Sequence, residues 1–227
     1  MQANLRFAFV FLLVTASVSA VFAQTREITE EEFRRVDAQA GKLAYAGQYR
    51  STMASRHFEK GLSTPSLEIS ELFERAGADK WRSLRIEKDS RGRRETESIT
   101  IDRFVYSRST GNPWVKKTVE ESKQATGTFS VKGDVVKSQE KFTFSSLGQK
   151  SVNSEAFEVF ESRKNRRYEL GPNQYYEYTI IEQLWIDAKG RFAKRSSQNV
   201  DADGRLSIDT VWTYEYPAEL QIKAPIK

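Results

Sequence analysis

The segment from Tyr175 to Pro217 constrains the fold most, because it contains three strand-like stretches in a row. Each stretch is either largely apolar or alternates between apolar and polar side chains. Two short turn sequences, 188–190 and 201–204, separate the stretches, and each turn ends in glycine. This order is typical of consecutive antiparallel strands joined by hairpins. The segment therefore predicts a three-stranded antiparallel unit.

The last stretch of this segment alternates most clearly, with Val211 as the exception. One parity is largely aromatic and comprises Ile208, Thr210, Trp212, Tyr214 and Tyr216. The other parity, which we expect to face solvent, comprises Asp209, Thr213 and Glu215. Because successive side chains of a strand point to opposite faces, the sheet is predicted to have one apolar, aromatic face and one solvated face.

The rest of the chain also divides into strand-length stretches, about ten in all with those above, and short turns separate most of them. The stretch 62–77 is predicted to contain a strand at 66–74, although its composition would also suit a helix. A turn is expected at 147–149, and a short edge strand closed by proline at 220–225. The polar stretch 120–127 is expected to be a loop or a short helix, acting as a lid or merely as a connection.

The first 23 residues have the features of a secretory signal peptide. Arg6 provides the positive charge, 7–14 is an almost continuous apolar core, and small residues precede a cleavage site after Ala23. A cut after Ala20 and an uncleaved anchor are the alternatives, although the apolar core is short for a membrane span. We therefore expect an exported mature chain, 24–227, that folds as a single domain.

One amphipathic helix is predicted near the start of the mature chain, from Thr29 to about Gly47. Thr29 is a typical N-cap, and Glu32 three residues later completes the pattern of a capping box. Apolar side chains then recur with helical spacing at Phe33, Val36, Ala40, Leu43 and Ala44. This stripe predicts that the helix packs one face against the sheet.

The chain contains no cysteine and one histidine, His57. Disulfides, cysteine nucleophiles, thiolate metal sites and two-histidine metal sites are therefore excluded, and no cofactor is expected. Because the chain has no cysteine that could carry a lipid anchor, we expect an unanchored periplasmic protein. We do not expect an exported protein of this kind to bind nucleic acid. Asp102, Glu182 and Asp187 lie near predicted strand ends, but no spacing among them indicates a catalytic pair, so no enzymatic activity is expected.

The net charge of +5 comes from basic residues that are spread along the chain, with two denser groups. These groups are Arg91, Arg93 and Arg94, and Arg163, Lys164, Arg166 and Arg167. One interpretation is that both are solvated side chains at hairpin ends, which is ordinary for charge runs and which we favour. The other interpretation is a site for anionic headgroups or acidic partners.

Three stretches of the sequence resemble a known superfamily. Trp185–Lys194 reads Trp-Ile-Asp-x-x-Gly-Arg-Phe-x-Lys and is similar to the strand-turn-strand segment of LolA/LolB-like and LppX/LprG-like periplasmic carriers of lipoproteins and lipids. The stretch 101–114 resembles the middle of the same fold, and 212–217 with 222–225 resembles its terminal strand. By the order of elements, the similarity covers most of the mature chain.

This resemblance implies a strongly curved antiparallel sheet, a half-open barrel, with helices over its concave side and a cavity that holds acyl chains. The sequence departs from many relatives because it has no cysteine for a lipid anchor. The stretch 120–127 is also too polar for an apolar lid. No acyl-binding or partner-binding residue of the family maps onto a position of this chain.

These features predict a mainly β (α+β) fold, in which an N-terminal helix, with or without a second one, covers the concave face of one strongly curved antiparallel sheet. The predicted function is to bind or carry an amphiphile, namely a lipid, an acyl chain or the lipid moiety of a lipoprotein. Because basic residues are dispersed, binding is expected to depend on chain length and weakly on headgroup charge. The predicted ligand-contacting residues are Phe33, Val36, Leu43, Tyr176, Tyr178, Ile180, Trp212, Tyr214 and Tyr216.

The alternative is a regulatory or interaction module that binds a segment of an envelope membrane protein, as envelope-stress sensors do. A separate dimerisation domain would favour that alternative, and we find none in the sequence, so we expect a monomer. The aromatic residues can also form an ordinary core against the helix, which is the commoner role of any single aromatic side chain.

Overall fold

The computed structural model describes residues 25–120, 138–171 and 174–226. The predicted signal peptide, residues 1–23, lies outside these ranges, and so does the polar stretch 120–127 apart from its first residue. Within the described ranges, no helix is both long enough and apolar enough to cross a membrane.

The described residues form one α-helix and twelve β-strands. The helix, α1, spans Glu30–Ala44. The strands are β1 Arg26–Glu27, β2 Tyr49–His57, β3 Leu67–Arg75, β4 Lys80–Asp89, β5 Gly92–Ile101, β6 Phe104–Ser109, β7 Val115–Thr118, β8 Ser138–Val152, β9 Glu155–Gly171, β10 Gln174–Ile186, β11 Phe192–Asp201 and β12 Leu206–Glu215.

All twelve strands belong to one sheet, in the order β1-β8-β9-β10-β11-β12-β2-β3-β4-β5-β6-β7. Every pairing is antiparallel, and β1 and β7 lie at the two edges, so the sheet is not closed into a barrel. This confirms the predicted mainly β fold, with one half-open antiparallel sheet and an N-terminal helix.

The predicted three-stranded unit is confirmed as β10, β11 and β12. Its two turns contain Gly190 and Gly204, both at φ +77°. That backbone conformation favours glycine, which is why the turns could be recognised. The predicted strand at 66–74 is also confirmed, as β3.

The predicted turn at 147–149 is wrong, because β8 continues through this stretch with a bulge. The register with β9 shifts between Ser146 and Gly148, and Gly148 has φ +69°. The hairpin turns instead at Asn153 and Ser154, at φ 51° and 68°. Two-residue turns with positive φ at both positions favour asparagine and glycine, so Ser154 gave a weak signal while Gly148 gave a misleading one.

The predicted edge strand at 220–225 is also wrong, because the chain leaves the sheet after Glu215. Strand β12 already pairs with β11 on one side and with β2 on the other, so no free edge lies beside it. The segment is fixed by a side chain instead: the Leu220 N–H donates a hydrogen bond to Gln48 Oε1 at 2.6 Å.

The helix begins as predicted, with the Glu32 N–H donating to Thr29 Oγ1 at 3.1 Å. A capping box would direct the Glu32 carboxylate to the Thr29 N–H, but that carboxylate accepts a hydrogen bond from Arg26 at 2.6 Å. The helix ends at Ala44, before the predicted end near Gly47.

The main core lies between α1 and the strands β9 to β11. Its buried members are Phe33, Ala40, Ala44, Phe160, Leu184, Ile186 and Phe192. The helix presents three small buried residues to the sheet, Ala40, Gly41 and Ala44. We call the face of the sheet that carries these core residues the helix side, and the opposite face the outer side.

Candidate functional site

A cavity of about 210 Å³ lies between α1 and the strands β8, β9 and β10. We call it the helix cavity; its lining residues are Phe33, Arg34, Asp37, Phe142, Phe144, Ser162, Lys164, Ile180 and Glu182. The helix cavity is smaller than the roughly 300–1,000 Å³ of ordinary small-ligand pockets. A longer ligand would therefore have to extend beyond it.

The apolar wall of the helix cavity is formed by phenylalanines from α1 and β8, together with Ile180. The ring centroids of Phe33 and Phe144 are 5.4 Å apart, and the rings of Phe144 and Phe142 stack at 6.1 Å. Phe33 is buried, whereas Phe142 is 41% exposed. The wall thus runs from the core to the surface, and an apolar chain laid along it would remove Phe142 from water.

A lysine stands beside this wall. The Lys164 ammonium lies 4.8 Å from the ring centroid of Phe142 and 2.8 Å from the Glu140 carboxylate. Hydrogen bonding to Lys164 is the main reason that the pKa of Glu140 is lowered from its usual value. The helix cavity therefore combines an aromatic wall with a charged group at the same place.

Two carboxyl groups face the helix cavity, one from the sheet and one from the helix. Glu182 on β10 accepts a hydrogen bond from Ser162 at 3.4 Å. Asp37 on α1 lies 3.6 Å from the Arg195 guanidinium, but its Oδ1 is buried without a hydrogen-bond partner among the described residues. Because the 3.6 Å contact with Arg195 is an ion pair and not a hydrogen bond, a water molecule or a ligand group that donates a hydrogen bond would stabilise this buried oxygen.

Three tyrosines continue the helix side of β9 and β10 beyond Ile180. Tyr178 and Tyr176 follow Ile180 at alternate positions of β10, and Tyr168 lies opposite Tyr176 on β9. The centroid of Tyr178 is 6.0 Å from that of Tyr168 and 5.6 Å from that of Tyr176, which is 49% exposed. We call Tyr168, Tyr176 and Tyr178 the tyrosine strip. Because side chains of one parity share a face, the tyrosine strip and the helix cavity form one line of surface.

The other end of α1 packs on a filled aromatic cluster. The centroid of Tyr214 lies 5.7 Å from Phe192 and 6.5 Å from Tyr45. The Tyr216 hydroxyl donates a hydrogen bond to the Phe192 carbonyl at 2.6 Å. Burial raises the pKa of both the Tyr214 and the Tyr216 phenol, so both stay neutral at ordinary pH. This cluster belongs to the core rather than to an open site.

Most of the predicted ligand-contacting residues fall into three groups. Two line the helix cavity, Phe33 and Ile180. Two belong to the tyrosine strip, Tyr176 and Tyr178. Three pack against the core, Val36, Tyr214 and Tyr216. The structure thus brings the first two groups together on one surface and places the third against the core between α1 and the sheet.

Leu43 and Trp212 lie apart from these groups. Leu43 is 41% exposed near the end of α1, and its Cδ1 lies 3.2 Å from where a Cβ on Gly190 would be. Trp212 is half-buried on the helix side of β12, as its parity predicts, with Arg195 and Met53 as its cross-strand neighbours. Neither residue lines the helix cavity, and their contact with a ligand stays a prediction.

The sequence-based site omitted four residues that the structure places on this surface: Phe142, Phe144, Lys164 and Arg166. The sequence does contain a signal for them: Phe142 and Phe144 lie two positions apart on one strand, and so do Lys164 and Arg166, so each pair shares a face. Because a turn was predicted at 147–149, β8 was read as two separate strands. The long β8–β9 hairpin, which packs near α1, was therefore not predicted. Arg166 lies opposite Tyr178, a pairing that cannot be read from either strand alone.

The outer side carries a ladder of charges of alternating sign, with N to O distances of 2.7–3.4 Å. From β12 to β6 its members are Glu215, Arg50, Glu74, Arg82, Glu97 and Arg108. Beside this ladder lies an open apolar groove of about 340 Å³. Its lining residues include Leu72, Leu84, Ile86 and Val211. The outer side is therefore partly apolar and not simply solvated as predicted.

Asp209 lies on the outer side, as its parity predicts, but it is buried instead of facing solvent. Its carboxylate accepts hydrogen bonds from Arg56 and, at 3.2 Å, from the Gln198 amide. Pairing with cross-strand neighbours removes it from water at little cost. Thr213 and Glu215, on the same side of the strand, are exposed as predicted.

Among the described residues, no group of three or more His, Asp or Glu side chains is placed to hold a metal ion. Asp187, one of the acids near strand ends, accepts hydrogen bonds from the N–H groups of Lys189 and Arg191 at 2.9 and 2.8 Å. Its carboxylate therefore holds the β10–β11 turn.

No protein-family model matches the chain, and no curated protein matches it significantly. Solved structures similar to it include a LolA superfamily protein from Nitrosomonas europaea, which is 11% identical with a TM-score of 0.28 over 81% of this chain and 91% of that one. A putative outer membrane lipoprotein-sorting protein domain from Vibrio parahaemolyticus is 12% identical, with a TM-score of 0.28 over 84% and 93%. A DUF1329 family protein from Desulfovibrio piger is 11% identical, with a TM-score of 0.27 over 84% and 94%. The name of the first includes the LolA superfamily.

Proposed function

We propose that this protein is a non-enzymatic periplasmic binding or carrier protein for an amphiphile: a lipid, an acyl chain or the lipid moiety of a lipoprotein. The observation that carries the proposal is the line of apolar surface from the helix cavity along the tyrosine strip. The acyl chain lies against Phe33, Phe144 and Ile180 in the helix cavity, and the ligand extends from there towards the strip.

Exposure along this line distinguishes it from an ordinary core. The wall of the helix cavity ends in Phe142, and the strip ends in Tyr176, two residues that are 41% and 49% exposed. Contiguous apolar surface of this kind is typical of binding sites, whereas single exposed aromatics need no explanation. By contrast, Tyr214 and Tyr216 are satisfied within the core.

A chain-length series tests the proposal. Saturated fatty acids of 8 to 16 carbons are titrated, below their micelle concentrations, against the protein and a bound fluorescent acyl probe. Each methylene that becomes buried adds about 0.8 kcal/mol, which is roughly a fourfold gain in affinity. We expect affinity to rise with length until the surface is filled, and the melting temperature to rise with ligand concentration.

Two exposed positions on β8 provide a matched pair of variants. Phe142→Ala removes part of the apolar wall, whereas Val152→Ala trims an exposed side chain on the same strand outside the helix cavity. The first should weaken binding several-fold and the second should leave it unchanged, with little effect of either on stability. Failure of every fatty acid to bind, or affinities that do not depend on length, would contradict the proposal.

A further inference from the structure

The basic residues near the end of β9 divide between the two faces of the sheet. Lys164 lies opposite Ile180, and Arg166 lies opposite Tyr178, so both are on the helix side. Arg163 and Arg167 have the other parity and lie on the outer side. A group that is merely basic in sequence therefore becomes a pair of cations on the proposed ligand surface.

Arg166 organises the polar groups of the tyrosine strip. Its Nη1 lies 3.3 Å from the hydroxyl of Tyr168 and 3.3 Å from that of Tyr178, and the two hydroxyls are 3.4 Å apart. The two tyrosine rings stack at 6.0 Å with an interplanar angle of 17°. Rings that are stacked in this way hold both hydroxyls beside the guanidinium. We call Lys164, Arg166, Tyr168 and Tyr178 the Arg166 cluster.

The cations of the Arg166 cluster share one carboxylate. Glu140 lies 2.8 Å from the Lys164 ammonium and 2.9 Å from Arg166 Nε. Two positive charges thus share the single carboxylate of Glu140, which leaves the cluster able to accept another anion.

The ionisation of Tyr178 agrees with this electropositive environment. Partial burial alone would raise the pKa of its phenol, but hydrogen bonds with Tyr168 and Arg166 and the charges of Arg166 and Lys164 lower it. The hydrogen bond with Tyr178 in turn raises the pKa of Tyr168, so the two cations act on the Tyr178 member of the pair.

We propose that the Arg166 cluster binds the anionic headgroup of the amphiphile, either a phosphate ester or a carboxylate. This inference rests on the proposed function, because it takes the acyl chain to lie in the helix cavity. Lys164 belongs to both places: it lines the helix cavity and stands next to Arg166 on the same face. The guanidinium offers paired donors that match phosphate and carboxylate oxygens. Headgroup charge therefore matters, contrary to the expectation drawn from dispersed basic residues.

Two double variants provide the test, since they remove the same charge from the two faces of one strand. Lys164→Gln/Arg166→Gln removes both positive charges of the Arg166 cluster, and Arg163→Gln/Arg167→Gln is the matched control on the outer side. Each is titrated with dodecyl phosphate and with dodecyl maltoside, which share the chain and differ in the charge of the head. Melting curves establish that each variant is folded, and Tyr178→Phe, which keeps the ring, is a milder third variant.

We expect the unaltered protein to bind dodecyl phosphate about tenfold more tightly than dodecyl maltoside, as one charge-assisted contact would give. The cluster variant should lose this preference, the control should keep it, and Tyr178→Phe should lose part of it. Inorganic phosphate at millimolar concentration should not displace dodecyl phosphate, because it lacks the chain.

Four results would overturn the inference. Equal affinities of the unaltered protein for the two dodecyl ligands would show that the Arg166 cluster does not bind the headgroup, but would leave the proposed function intact. Equal loss of preference in both double variants would assign the effect to net charge alone. Displacement by inorganic phosphate would assign the cluster to free phosphate. Binding of neither dodecyl ligand would overturn the proposed function as well.

Discussion

At the scale of single residues, Tyr216 ties the end of β12 to β11. Its hydroxyl donates to the Phe192 carbonyl at 2.6 Å, and the Arg191 guanidinium lies 3.7 Å from its ring centroid. Both contacts join Tyr216, which lies just beyond the end of β12, to the start of β11. Tyr216 therefore secures the place where α1 and the sheet meet.

We predict that Tyr216→Phe lowers the free energy of unfolding by about 1–2 kcal/mol, because the Phe192 carbonyl loses its donor. Urea denaturation measures this loss. Tyr176→Phe is the control: Tyr176 is half exposed, so the same chemical change there should stay within roughly 0.5 kcal/mol of the unaltered protein. Equal effects at both positions would contradict the role of the Tyr216–Phe192 hydrogen bond.

The buried phenols also predict a dependence of stability on alkaline pH. Burial raises the pKa of Tyr214 in the folded protein, whereas the unfolded chain ionises near a pKa of about 10. The folded state therefore keeps a proton that the unfolded state loses, and this contribution to stability is fully present below pH ~10 and declines above it.

Urea unfolding at pH 8 and pH 11 measures this decline. The unaltered protein should lose more stability between these two pH values than Tyr214→Phe does, since the variant has no phenol to ionise at that position. An identical loss in the two proteins would show that the Tyr214 phenol does not contribute to the pH dependence.

At the scale of elements, α1 depends on its N-cap. Thr29 Oγ1 accepts from the Glu32 N–H, and Phe33 follows directly as the first core residue of the helix. We predict that Thr29→Ala lowers the free energy of unfolding by about 1 kcal/mol. Thr25→Ala, four residues earlier and exposed, is the control in the same denaturation assay and should be neutral. A neutral Thr29→Ala would mean that the cap does not hold the helix.

Local chemistry decides which elements can be predicted from the sequence. The hairpins around Gly190 and Gly204, and the start of α1 at Thr29, rest on residues whose preferences are local, and all three are confirmed. The β8–β9 hairpin was missed because a bulge at Gly148 looks like a turn and the real turn, at 153–154, uses serine. Pairing between distant strands leaves no local signal.

The same limit applies to the candidate site. The parity of β10 places Tyr176, Tyr178 and Ile180 on one face, and this could be predicted. The sequence does not show that β9 brings Lys164 and Arg166 beside them, because that depends on the register of β9 against β10. Trp212 has the predicted face but lies away from the helix cavity, since α1 lies nearest to β8–β11.

At the scale of the whole molecule, the sheet has apolar surface on both sides. On the helix side it joins the helix cavity to the tyrosine strip, and on the outer side it forms the open groove beside the charge ladder. The helix cavity contains a buried carboxylate oxygen, Asp37 Oδ1, that accepts no hydrogen bond among the described residues, whereas each member of the outer ladder has an ion-pair partner. This asymmetry favours the helix side as the ligand site.

Export is the second property of the whole molecule that can be tested. The predicted signal peptide should be removed after Ala23, so that the mature chain begins at Gln24. N-terminal sequencing of protein recovered from a periplasmic extract measures this directly. A chain that still begins at Met1, or one found in the membrane fraction alone, would contradict both the cleavage and the proposed location.

Photo-crosslinking tests the central claim, which is that an acyl chain lies on the helix side of the sheet. A fatty acid with a diazirine near the end of its chain is bound, irradiated and mapped onto peptides by mass spectrometry, with and without excess unlabelled fatty acid. We predict competable labelling of the peptides that contain Phe33, Phe142 and Ile180. Labelling concentrated on Leu72 and Leu84 of the outer groove, or spread over the chain without competition, would contradict the claim.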